Sequence, residues 1–166
     1  MKALAAACAL LLLGGCSADR IERGMFHSRK GYEVKLPAGA WLVAPGGKAD
    51  LELRREGAAP GGMLADATCE GRPPRRPLGV LARHLLFGLA DRSEAESHET
   101  VVQGRPAVRS LVRGRLDGAL VAVEAVVVKD ERCVYDFLYV APAAHFEAGR
   151  GDFRSFVESF AVRREP

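Results

Sequence analysis

The chain has 166 residues, 48% hydrophobic and 27% charged, with a formal net charge of +3. That balance describes one folded domain of ordinary size and excludes a disordered chain. The positive charge is mostly arginine and is spread along the chain, which leaves no footprint for a nucleic-acid partner.

Residues 1–16 read MKALAAACALLLLGGC. Lys2 precedes an apolar run, Ala3–Leu13, of signal-peptide length. It is too short to span a bilayer, which takes about 20 apolar residues. Leu13-Gly14-Gly15-Cys16 resembles the bacterial lipobox: an aliphatic residue, two small residues, then cysteine. The resemblance implies that the leader, 1–15, is removed with Cys8 in it, and that Cys16 carries the lipid. Two or three acyl chains hold a protein stably on a membrane. Ser17, where aspartate would resemble an inner-membrane retention signal, favours the outer membrane. Residues 16–30 are polar and read as a lipidated tether, and 31–166 as a single domain.

Within that domain Tyr32, Val34 and Leu36 alternate with Glu33 and Lys35, a half-buried strand closed by Pro37. Trp41 follows as a core anchor. Leu51 and Leu53 alternate with Glu52 and Arg54 in another short strand. Gly57–Gly62 is a loop, and Met63–Cys69 a further strand. Pro77 opens a helix running to Ala90, with Leu78, Leu81, Leu85 and Leu89 on one stripe. Asp91–Ser97 reads as a polar connector and His98–Gln103 as a strand.

Asp117-Gly118 is the strongest short hairpin signal, with Ala107–Leu116 and Ala119–Lys129 on either side. A two-residue turn sets Leu116 opposite Ala119, Val112 opposite Val123 and Val108 opposite Val127. One face is then apolar and meets the core. The other sets Arg109, Leu111, Arg113 and Arg115 against Glu124. That face reads as solvated and salt-bridged, with an anion or headgroup site as the functional alternative.

In Cys133–Ala141 both faces are apolar, as in a sheet covered on both sides, except for Asp136. A buried carboxylate needs a partner. An arginine partner or a sheet-end position is the structural reading, under which Asp136→Asn lowers stability; catalysis or metal binding is the alternative. After a Gly149-Arg150-Gly151 break, Asp152 caps a last helix with Phe153, Phe156, Val157 and Phe160 on one stripe. The order is strands, helix, strands, helix: an α+β fold with a central antiparallel sheet.

No phosphate loop, nucleophile elbow, CxxC or HExxH occurs. His27, His84, His98 and His145 lack ligand spacing. No cofactor or metal is expected. With Cys8 discarded and Cys16 acylated, Cys69 and Cys133 are the remaining thiols in an oxidising compartment, so a disulfide between them is expected.

Gly31-Tyr32 through Leu36-Pro37 with Trp41, the Val102–Ala107 turn, and the closing Phe153, Phe156 and Ser159-Phe160 resemble PsbP-like and Mog-type domains. The resemblance implies an α/β/α sandwich whose members act mostly as accessory or binding proteins, with no shared catalytic set. The expectation is a non-enzymatic, lipid-anchored envelope protein facing the periplasm, with a protein partner there. The alternatives are an envelope hydrolase or transferase using Asp136 or a histidine, and a carrier of a small apolar ligand.

Overall fold

A computed structural model of the protein describes residues 19–69 and 76–163. The leader, the lipobox, Cys16 and most of the proline-arginine loop lie outside the described residues. In chain order the elements are β1 (Arg20–Glu22), β2 (Met25–His27), β3 (Tyr32–Lys35), β4 (Leu42–Val43), β5 (Leu51–Arg55), β6 (Gly61–Thr68), α1 (Leu78–Leu85), β7 (Ala90–Val102), β8 (Arg105–Leu116), β9 (Ala119–Lys129), β10 (Val134–Pro142), α2 (Glu147–Glu158) and β11 (Ala161–Val162). A seven-stranded antiparallel sheet has the order β4-β5-β6-β10-β9-β8-β7. A four-stranded antiparallel sheet has the order β1-β2-β3-β11.

The β8–β9 hairpin is the centre. Asp117 and Gly118 have φ of 49° and 81°, as a two-residue turn with both central residues left-handed requires. The register follows: Leu116 opposite Ala119, Val112 opposite Val123, Val108 opposite Val127. β10 then pairs with β9 on one side and β6 on the other, so its backbone is paired in both directions.

The two faces differ in composition. On one, Tyr135, Phe137 and Tyr139 of β10 meet Phe153, Phe156 and Phe160 from α2 and its C-terminal end, and Tyr32 from the small sheet. Ring pairs lie 4.7–6.1 Å apart between centroids, within the range where tilted and edge-on contacts add to area burial. On the other face α1 covers the hairpin with aliphatic residues. Leu78, Leu81, Ala82 and Leu85 pack on Val108, Val127 and Val134. Leu86 and Leu89 pack on Val112, Val121, Val123 and Ala125.

Four sequence expectations are corrected. Residues 16–30 are not a tether throughout: β1 and β2 join the small sheet, and Phe26 is buried. Three-residue strands offer too few positions for a period of two to show. The connector Asp91–Ser97 belongs to β7, a polar edge strand interrupted by two register shifts and exposed along most of its length. The last helix begins at Glu147 and runs through Gly149 and Gly151, so Asp152 does not cap it. Gly149 is tolerated because its α-carbon packs against the Tyr139 ring, where a β-carbon would also fall 2.8 Å from Arg55. Finally, the arginine face is not simply solvated. Glu124 is fully buried there, bound by Arg109 and by Arg150 of α2, the latter at 2.8 Å.

Candidate functional site

β6 and β10 are paired to their ends, with Thr68 opposite Val134. The next pair outward is Cys69 and Cys133, which are joined as a disulfide with α-carbons 4.3 Å apart. Asp130 shapes the approach to Cys133. One carboxylate oxygen accepts the amides of Arg132 and Cys133, both at 2.8 Å, and the other accepts the Tyr135 hydroxyl at 3.0 Å. Burial alone would raise the Asp130 pKa, but those donors and Arg105 outweigh it and hold the carboxyl below its ordinary range. Burial, reinforced by the bond to Asp130, pushes the Tyr135 phenol up.

The tight turn between β2 and β3 comes alongside. Gly31 takes φ of 85°, open to glycine at no steric cost. Its carbonyl accepts the Arg163 amide at 2.8 Å, and the Ser28 carbonyl accepts the Arg163 guanidinium. The Arg29 amide donates to the Asp19 carboxylate at 2.7 Å.

These pieces enclose a cleft of about 200 Å³ lined by Arg29, Lys30, Gly31, the disulfide, Arg132, Tyr135, Val162 and Arg163. Four of its side chains are cationic. Lys30 is already engaged, 2.7 Å from Asp50 and 3.0 Å from Asp66. Burial opposes its charge, yet the two carboxylates raise its pKa, so it stays protonated. Arg29 and Arg132 are exposed, with no ion-pair partner among the described residues. The Arg163 Nε is buried and has no hydrogen-bond partner among the described residues. Two guanidiniums without ion-pair partners among the described residues, Arg29 and Arg132, with Arg163 beside them, suit an oxyanion, which planar guanidiniums bind by paired hydrogen bonds.

The candidates read from the sequence fall elsewhere. Asp136 lies on the α1 side, directly opposite Asp66. The expected arginine partner is absent: one carboxylate oxygen is buried with no hydrogen-bond partner among the described residues. Burial, then the Asp66 charge, raises its pKa to about 6. Of the arginine row, Arg109 is committed to Glu124, while Arg113 and Arg115 are exposed near the hairpin tip. His27 sits 3.0 Å from Glu33 and His98 3.2 Å from Glu96, whereas His84 and His145 are exposed. Among the described residues no three metal-binding side chains converge. The cleft cations come from three separate stretches, none carrying a motif. The pair of cysteines is the only local pointer to where those stretches meet.

The sequence matches no family model and no curated protein. Several solved structures share the fold. The solution structure of cyanobacterial PsbP (CyanoP) from Synechocystis sp. PCC 6803 aligns with a TM-score of 0.58 at 13% identity, over 90% of this chain and 98% of that one. LpqN, described as involved in cell envelope biogenesis of Mycobacterium tuberculosis, aligns with 0.56 at 14% identity, over 80% and 84%. A protein from Bacteroides thetaiotaomicron VPI-5482 aligns with 0.58 at 7% identity, over 81% of this chain and 46% of that one, so the chain spans about half its length. At such identities the likeness is one of fold alone: the protein is an α+β sandwich built on a central antiparallel sheet, as in PsbP-like structures.

Proposed function

We propose that the protein is a non-enzymatic lipoprotein of the bacterial cell envelope, anchored through Cys16, facing the periplasm from the outer membrane, and binding a protein partner or assisting assembly there. The observation that carries this reading is the Cys69–Cys133 disulfide closing two neighbouring strands. Structural disulfides persist in oxidising compartments and are rare in the cytosol. The lipobox-like leader supports the same compartment. LpqN, of similar fold, carries a description that ties it to the envelope. Among the described residues no helix is long and apolar enough to cross a membrane. In this reading the lipid is what attaches the domain. The cleft of arginines supports binding of an anionic group.

The test is fractionation of cells carrying wild type or Cys16→Ser, with labelled fatty acid. Wild type labels and stays with membranes, and the variant appears in the soluble periplasmic fraction. A wild type without label, or a variant still membrane-bound, sinks the anchoring reading. Crosslinking in intact cells then identifies the partner.

A further inference from the structure

We propose that the cleft beside the disulfide takes the phosphate of an anionic phospholipid headgroup in the membrane to which the chain is anchored. The proposal rests on the reading of Cys16 as the lipidated residue. Its physical basis is the shortness of the leash. The first strand among the described residues, β1, starts at Arg20, and Asp19 before it is tied to the Arg29 amide at 2.7 Å. Three residue steps separate Cys16 from Asp19, which at full extension reach about 11 Å. A longer tether would let the domain tumble. This one holds the Asp19–Arg29 end of the domain against the headgroup layer.

That end carries the arginine-lined cleft. Arg29, Arg132 and Arg163 converge on the cleft. Four described acids nearby are engaged by the protein: Asp130 by two amides and the Tyr135 hydroxyl, Asp19 by the Arg29 amide, Asp50 and Asp66 by Lys30, while Glu131 is exposed to solvent. Arg163 lines the wall, with one guanidinium nitrogen already donating to the Ser28 carbonyl. A hollow of about 200 Å³ admits a phosphate with its ester oxygens and leaves acyl chains outside. Each cation near an anionic bilayer surface contributes about 1 kcal/mol, or about fivefold in occupancy.

The test uses the native protein purified from membranes. Intact mass first reads the acyl chains. The protein is then reconstituted in vesicles of phosphatidylcholine alone or with phosphatidylglycerol, and guanidinium labelling by phenylglyoxal is followed residue by residue. Labelling of Arg29, Arg132 and Arg163 should slow about fivefold or more in the anionic vesicles, while Arg83 and Arg113, on other surfaces, label equally in both. High salt should erase the difference, as should the double variant Arg29→Glu/Arg132→Glu read at Arg163; Arg163→Gln, read at Arg29, serves if the double variant melts early. Equal labelling in the two vesicles overturns the inference while a found acyl chain leaves the anchor standing. Protection by inorganic phosphate in detergent, as strong as in anionic vesicles, also overturns it in favour of a free-anion site. If no acyl chain is found, the anchor reading fails, and co-sedimentation with anionic vesicles, abolished by the same variants or not, still decides the cleft.

Discussion

Two carboxylates on neighbouring strands of one sheet face opposite layers and meet opposite fates. Glu124 on β9 is fully buried on the α2 side, yet Arg109 from β8 and Arg150 from α2 each hold one of its oxygens. Asp136 on β10 is largely buried on the α1 side and has Asp66 beside it instead of a cation. Burial costs each carboxylate its hydration, and only Glu124 is compensated. Counter-charge, more than depth, decides whether a buried acid holds the fold together or strains it. The difference has a structural origin. α2 brings an arginine to the aromatic layer, while α1 presents leucines to the aliphatic one.

The sharpest way to break the comparison is Glu124→Gln. It leaves Arg109 without its anion and Arg150 with only the more exposed Glu147 and Glu96, and should cost about 3–5 kcal/mol, read from the midpoint of urea unfolding. A loss below about 1 kcal/mol would mean that the triad is not what joins α2 to the hairpin.

Next in size is the disulfide, which closes the ladder at the end where Asp66 and Asp136 sit. Its half-cystines are 64 residues apart. Loop-closure arithmetic gives about 4 kcal/mol for such a span. Cys69→Ala/Cys133→Ala should therefore melt well below wild type, and reductant should lower the wild-type midpoint but not the variant's.

Asp136→Asn should act in the other direction, reversing the expectation drawn from the sequence. The folded-state pKa of about 6 lies above the usual 3.8. The folded state therefore holds the proton more tightly, and the associated stability is present below about pH 4 and lost as pH rises through 6. At pH 7 the variant should be more stable than wild type by up to about 3 kcal/mol, and near pH 4 the two should coincide. Chemical unfolding at several pH values reads this directly; parallel pH profiles would refute the uncompensated burial.

The smallest effect separates the two ends of the arginine row. Arg113 is exposed and forms no ion pair among the described residues, so Arg113→Ala should stay within about 0.5 kcal/mol of wild type. Arg109→Ala, measured alongside, should cost clearly more because it removes half of the charge that balances Glu124.

The hairpin shows how much is legible in the chain itself. Asp117-Gly118 and the alternation of Val108, Val112, Val123 and Val127 carry turn type, register and inward face together, since both signals are local. β10, apolar on both sides, announces that two layers cover the sheet. The candidate site is far less legible. Arg29 reads as tether, and neither Arg132 nor Arg163 belongs to any motif. Glu124 can be paired on paper with its cross-strand arginines, but Arg150 lies 26 residues further on and nothing local joins them.

The amino-acid sequence by itself determined the class of fold, the central register and the α1 and β10 faces, because periodicity and turn chemistry are written within a few residues. Only the tertiary structure decided that β1 and β2 belong to the domain, which cation each buried carboxylate receives, and that arginines from distant stretches share a cleft. Those outcomes depend on which surfaces pack across layers, and a charge carries no mark of the partner it will find until the layers close around it.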